Sequence, residues 1–279
     1  MKILIELDYF CSILHTKAES LDYYRKRVML IVLACLSTSL YFSKEILYWL
    51  SAIALLFHIG SLFMDWTIKK TRALASEIQK ISMLSKTFGQ DNIDFHEVTR
   101  LKVEAGTGVN AKVQTRIDNN ELDESTTYTN DETEPNQKLL RMIQENAFWN
   151  GYLYYFAYKD AKRKIIFMVA VISILALVLI PNVKLDQDYT LIRLVFTVLS
   201  FGVVYEFVET MFKFQTSSKQ MTELDHKISR LNTIEEQELL NIFSSYHNVI
   251  STTSPIPSNV YASNKNMLNA TWRERIQTV

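Results

Sequence analysis

The feature that most constrains this chain is the stretch from Lys159 to Lys213. A basic cluster (Lys159, Lys162, Arg163, Lys164) precedes the charge-free, almost wholly apolar run Ile165 to Ile180. Pro181 stops the helix there, and the polar turn Asn182 to Asp188 leads into a second, largely apolar run, Leu191 to Val208. Two apolar runs joined by a Pro-containing turn, with positive charge at both open ends, predict a transmembrane helical hairpin. A pair of buried helices in a soluble protein is the competing reading. Repetition of the hairpin favours the membrane.

The earlier copy has the same parts. Arg25, Lys26 and Arg27 precede the run Val28 to Phe42. A tight turn (Ser43, Lys44, Glu45) leads to the run Ile46 to Met64, which ends at Asp65, Trp66, Lys69 and Lys70. Each hairpin ends on an acid followed four residues later by a lysine, Asp65 and Lys69 in the first and Glu209 and Lys213 in the second, so the two charges share one helix face. This internal repeat sets the architecture. The expectation is an all-α membrane protein with four transmembrane helices in two hairpins, carrying amphipathic or coiled-coil helices and a small polar insert.

Net charge is zero, from 30 basic and 30 acidic residues, so nothing global points to a nucleic-acid polymer. Positive charge gathers instead at the four open ends of the spans, while the two closed turns hold only Lys44 and Lys184. The positive-inside rule then places both termini in the cytoplasm of a multi-pass inner-membrane protein. No signal peptide is read at Met1 to Glu6. The runs Val28 to Phe42 and Ile165 to Ile180 reach only about 22–24 Å as helices against roughly 30 Å of hydrocarbon. Snorkelling of Arg and Lys, or local thinning of the bilayer, covers the difference.

The remaining segments divide as follows. Residues 1–24 carry Ile3, Leu7, Phe10, Leu14 and Leu21 at helical spacing, a stripe expected to pack on other helices. The hairpins occupy 25–68 and 165–212. Residues 69–89 continue the helical period through Leu74, Ile78 and Ile81 to Gly89, a C-cap. An amphipathic approach helix takes 138–164. A coiled-coil-like helix takes 213–250, with Met221, Leu224, Ile228 and Leu231 in its stripe, and a tail follows at 251–279. Both long stripes are assembly surfaces, within one chain or between subunits of a homo-oligomer.

Residues 90–137 differ in character. Leu101 and Val103 alternate with Arg100 and Lys102. Val113, Thr115 and Ile117 alternate with Lys112, Gln114 and Arg116, and Gly106 and Gly108 lie between the two runs. The pattern reads as a β-hairpin with one apolar and one basic face. Arg100, Lys102, Lys112 and Arg116 are therefore ligand-sensing candidates for a phosphate-bearing partner. A half-buried hairpin with a merely solvated outer face is the plainer reading. Asn119 to Gln137 is acidic without Lys or Arg, the composition of a disordered linker.

No catalytic or cofactor motif emerges. Gly106-x-Gly108 lacks a third glycine, no phosphate-binding loop is present, and His96-Glu97 has no second histidine at metalloprotease spacing. The chain reads as a non-enzyme with no cofactor and no metal. Ionisable groups at membrane depth are costly and so better functional candidates. These are His58 and Asp65 in the second span, and Arg193, Glu206 and Glu209 in the fourth. They either line a wet path or mark where the spans end.

The C-terminal segment Ser254-Pro255-Ile256-Pro257-Ser258-Asn259-Val260-Tyr261, the later Trp272-Arg273-Glu274, and Gln144-Glu145-Asn146-Ala147-Phe148-Trp149 before the third span carry a resemblance. Together with the two-hairpin plan, the chain resembles the SMODS-associated four-transmembrane effectors of bacterial cyclic-oligonucleotide antiphage systems. It departs from them in the segment Leu14 to Ala18 and at Ser258, where an acid is expected. The resemblance implies a pore-forming or membrane-disrupting effector triggered by a cyclic nucleotide or through a nucleotide-sensing partner. A non-conducting membrane scaffold and a small transporter are the alternatives.

Overall fold

In the computed structural model, described for residues 2–39, 44–89, 91, 93–119, 132–179, 190–231 and 233–277, the chain forms eight helices. They are α1 (Lys2–Ser39), α2 (Lys44–Phe88), α3 (Phe95–Ala105), α4 (Thr107–Asp118), α5 (Pro135–Leu179), α6 (Thr190–Ser229), α7 (Glu236–Thr252) and α8 (Ser258–Gln277). No strand occurs among the described residues. Lys44 and Glu45, expected in the first turn, instead open α2, while Ser43, the second turn and most of the acidic linker lie outside the described residues.

Two long antiparallel pairs, α1 with α2 and α5 with α6, form the frame, as the repeat requires. At 45 residues, α2 and α5 are each about 68 Å long at 1.5 Å per residue, more than twice the ~30 Å of a hydrocarbon core. Each therefore has an apolar part and a part that packs in a bundle at the other end. Within α2, the segment Tyr48–Phe88 contains a window long and apolar enough to cross a membrane, and only 17% of that window is buried. A core helix of a soluble protein would bury most of such a window. Here Trp49, Leu56, Phe63 and Trp66 are exposed, and Ile166, Phe167 and Ile174 continue the apolar surface on α5. Trp49 and Trp66 bracket about 25 Å of helix, the placement of interfacial aromatic belts.

The other end holds two cores. In the first, Leu7, Phe10 and Leu14 of α1 pack with Leu74 and Ile78 of α2 and with Val98, Leu101, Val109 and Val113 of α3 and α4. The N-terminal stripe thus packs on neighbouring helices, as its spacing predicts. The second joins Met142, Ile143 and Tyr154 of α5, Phe214 and Met221 of α6, and Ile242 and Tyr246 of α7. Burial of these side chains supplies most of the stabilisation, at roughly 25 cal/mol per Å² of apolar surface removed from water. A smaller cluster seats Val260, Leu268 and Trp272 of α8 on Phe148 and Leu153 of α5.

Gly89 ends α2 with φ +92°, and its N–H donates to the Ser85 carbonyl at 3.1 Å, the C-cap expected of it. Two expectations are corrected. The region read as a β-hairpin is a helical pair. Asp94 caps α3 by accepting from the N–H groups of His96 (2.9 Å) and Glu97 (3.3 Å), and Gly106, at φ +83°, separates α3 from α4. Val98, Leu101 and Ala105 are buried while Val103 is 75% exposed, so burial follows the helical period and not the alternation. The coiled-coil-like helix expected over 213–250 is two helices. α6 ends at Ser229, where Arg230 and Leu231 donate to the Lys227 and Ile228 carbonyls in a tightened last turn, and α7 begins after Glu235.

Candidate functional site

The site begins where the apolar part of α2 ends. Thr67 and Thr71 donate their hydroxyls back to the carbonyls of Phe63 (2.9 Å) and Thr67 (2.8 Å), so these polar groups are satisfied within the helix. Just before them on α2, Asp65 accepts from Arg25 of α1 at 3.3 Å, and Arg25 also donates to the Glu206 carboxylate of α6. Asp65 also accepts from Lys69 at 2.6 Å. One guanidinium thus ties three helices at the boundary between the apolar and bundled parts. His58 lies within electrostatic reach of Glu206, and its Nδ1 is buried without a hydrogen-bond partner. Glu209 pairs with Lys213 one turn on at 2.7 Å. Of the ionisable candidates, Asp65, Glu206 and Glu209 line one 150 Å³ cavity together with Arg25, and His58 stands near Glu206 outside that lining. Arg193 falls within α6, and its side chain lies outside the described ones.

Arg72 stands two helical turns beyond Asp65 and lines both this cavity and a larger one of 360 Å³. It is only 6% exposed. Its Nη2 donates to the Ile250 carbonyl at the end of α7 at 2.5 Å, while Nε and Nη1 are buried with no hydrogen-bond partner. Burial lowers its pKa, and Tyr154, by its charge and a side-chain hydrogen bond to the guanidinium, and the Asp22 carboxylate oppose that shift. An arginine stays charged even so, and a charge buried with unmade hydrogen bonds costs stability. Asp22 itself accepts from Lys26 at 2.5 Å.

The larger cavity lies between α1, α2, α5 and the segment leading into α8. His15 faces it half-buried, and desolvation, helped by the Arg72 charge, lowers its pKa to about 4, so the imidazole is neutral at pH 7. Burial raises the Tyr154 hydroxyl above its ordinary value. The acids on the walls are engaged. Asp8 accepts from Lys86 (2.7 Å) and Ser82 (2.6 Å), and Glu19 accepts from the Ser258 backbone N–H. Pro255, Ile256 and Tyr261 also line it, as do Asn146 and Asn150 of α5. Thr253 fixes the segment leading into α8 by a 2.6 Å hydrogen bond to Ser217 of α6. Trp149 and Tyr261 hold it against α5, their ring centres 6.3 Å apart.

The ligand-sensing candidates are dispersed. Arg100 is exposed and pairs with Glu97 (2.5 Å) and Glu104 (3.4 Å) on its own helix. Lys102 pairs with Glu6 of α1 at 2.6 Å, and Arg116 donates to the Ser12 hydroxyl at 3.2 Å. Lys112 is exposed on α4. The helices turn these four groups to different sides, so the shared basic face of a strand pair does not form. Sequence reasoning missed Arg72 and His15. The signal was a polar stripe on α2, Arg72, Ser76, Gln79 and Lys86, set beside the apolar stripe Leu74, Ile78 and Ile81. Such a stripe reads as a solvated face until another polar stripe (His15, Glu19, Asp22) is found against it.

Among the described residues no group of three or more His, Cys, Asp or Glu side chains could hold a metal ion. The arrangement offers binding groups: a fixed cation and neutral donors. Comparison with protein-family models, curated proteins and solved structures found no match to this chain.

Proposed function

We propose that the chain is a multi-pass membrane effector whose spans are gated from a cytoplasmic sensing bundle, acting in antiphage defence when a cyclic nucleotide signal appears. In this reading four helices cross the inner membrane as two hairpins with both termini cytoplasmic, and homo-oligomers form the conducting or disrupting assembly. The observation that carries it is that α2 runs unbroken from an exposed apolar segment to Arg72, which lines a ligand-sized cavity. A change at the cavity wall is therefore a change in a membrane helix. Cavities of roughly 300–1,000 Å³ suit small molecules, and 360 Å³ falls at the lower end. The resemblance of the C-terminal and pre-span segments to four-transmembrane effectors supports the same role.

Gating requires that the ligand bind one state better than the other. The Arg25–Asp65–Glu206 junction is the element such a ligand would bias, because it ties α1, α2 and α6 together. The test is dye efflux from liposomes holding the purified chain, with a panel of cyclic nucleotides added. Efflux that starts on addition of one nucleotide supports the proposal. Tight vesicles under every nucleotide, with the protein inserted, refute gating and favour a non-conducting scaffold. Saturable flux of a solute without vesicle leak favours a transporter.

A further inference from the structure

We infer that the 360 Å³ cavity is a binding site for a small phosphate-bearing molecule, with its phosphate on Arg72 and a hydrogen-bond donor of the same molecule on Gln79. The inference deepens the gating proposal and rests on it for the consequence of binding, whereas the site itself stands on the cavity's geometry.

Orphaned atoms of opposite kind on two side chains define the ligand. Arg72 presents Nε–H and Nη1–H groups, buried and unpartnered, from a side chain held in place by the Ile250 carbonyl. Buried donors on a guanidinium are satisfied best by an oxyanion, which also neutralises the charge. Gln79 presents a buried Oε1 with no partner, while its Nε2 donates to the Tyr246 hydroxyl at 3.3 Å, which fixes the orientation of the amide. That oxygen calls for an N–H or O–H of the ligand. Arg72 and Gln79 lie seven residues apart on α2, so the two groups are separated by about 10 Å along the helix axis. A single phosphate with an amino or hydroxyl group at that distance fits a molecule of nucleoside-monophosphate size.

The other charges on the wall do not compete for the same role. Asp8 is engaged by Lys86 and Ser82, and Glu19 by the Ser258 N–H. The neutral His15 adds a donor beside Arg72 without adding charge. A phosphate is preferred over a carboxylate because it offers more acceptor oxygens to these several donors. It could come from a soluble molecule or from a lipid headgroup, since Arg72 stands only two turns beyond the apolar boundary.

The test is thermal unfolding of the full chain in detergent micelles with inorganic phosphate, adenosine monophosphate or glycerol 3-phosphate. At about 10 mM, adenosine monophosphate is expected to raise Tm by about 2 °C or more, and inorganic phosphate by less. Arg72→Met should abolish both shifts, Arg72→Lys should weaken them, and Gln79→Leu should remove the excess of the nucleotide over phosphate. A rise with glycerol 3-phosphate equal to that with the nucleotide supports the site and assigns the phosphate to a lipid headgroup. No shift with any probe, or a shift that survives in Arg72→Met, overturns the inference. If the probes bind but no nucleotide releases dye from liposomes, the site stands and the gating proposal falls. If dye is released without any Arg72-dependent binding, the reverse holds.

Discussion

Replacing Arg72 with methionine should stabilise the unliganded protein while abolishing its response to phosphate. The side chain is 6% exposed and carries its charge into the bundle with Nε and Nη1 unpaired. Desolvating an ion costs several kcal/mol even after the surroundings relax, and well-packed apolar replacements of buried ions are often stabilising by about 1–4 kcal/mol. Against this stands the hydrogen bond to the Ile250 carbonyl, a charge-assisted bond contributing about 1.5–3 kcal/mol. That carbonyl belongs to the last turn of α7, where carbonyls lack helical partners anyway. The balance favours the variant by about 1 kcal/mol, which for a chain of this size is a Tm rise of about 2 °C. Melting both proteins in the same detergent at one scan rate measures it, since unfolding of membrane proteins is often irreversible. A Tm drop of about 5 °C or more would refute the reasoning. It would mean that Tyr154 and Asp22 make Arg72 a structural strut and not a cation held for a ligand.

Three further outcomes follow from the packing and the charges. Gly151→Leu should cost about 1–3 kcal/mol by forcing α5 from α6, because even a Cβ at this position would lie 3.2 Å from Thr222 Oγ1; Gly151→Ala should be nearly neutral, the tight contact offset by better helix propensity, and chemical denaturation compares them. Arg25→Gln should destabilise more than Glu206→Gln, since it leaves the Asp65 and Glu206 carboxylates together without their shared cation, whereas Glu206→Gln leaves the Arg25–Asp65 pair intact; melting of the two variants in nanodiscs gives the order. Stability should fall on acidification from pH 6.5 toward 4 and 3, because the unfolded chain protonates His15 and His247 near 6.5 while the fold holds them neutral to about 4 and about 3. Both pKa values are lowered, so the unfolded state binds more protons in that window and each histidine contributes a slope of up to about 1.4 kcal/mol per pH unit. His247→Leu, which replaces a ring whose two nitrogens have no partner, should flatten the slope in denaturant titrations at pH 7, 6 and 5.

Much of the frame was legible because it rests on long periodic runs. Leu7, Phe10 and Leu14 repeat at helical spacing and have no polar interruption, and Gly89 follows the last apolar position of α2 directly. The strand reading of 100–117 failed for a definite reason. Leu101 and Val103 satisfy an alternation, but Val98, Leu101 and Ala105 satisfy the helical period equally well, and the short window cannot choose between them. The Asp94 cap and the packing surface of α1 decided it. The buried arginine was hidden differently. Arg72 belongs to a basic cluster with Lys69 and Lys70, and in sequence it looks like one more flanking charge of a span. Its burial comes from partners distant in sequence, among them Tyr154 of α5 and the Ile250 carbonyl of α7, 178 positions away. Asp65 and Glu206 stood out because an ionisable residue beside an apolar run is a local feature; the cavity was missed because enclosure is not.

The central claim, that apolar helices crossing a membrane lead directly into the walls of the cavity, is tested most directly by side-specific labelling. In a variant with Cys11 and Cys35 replaced by serine, single cysteines at Ser43, Gln187, Lys17 and Asn264 would be exposed to a membrane-impermeant thiol reagent in intact cells. Labelling is expected at positions 43 and 187 from outside, and at 17 and 264 only after the membrane is opened. Protection of all four positions in intact cells, together with release of the protein from membranes by a high-salt wash, would contradict it and make the exposed apolar surface an interface between protein chains.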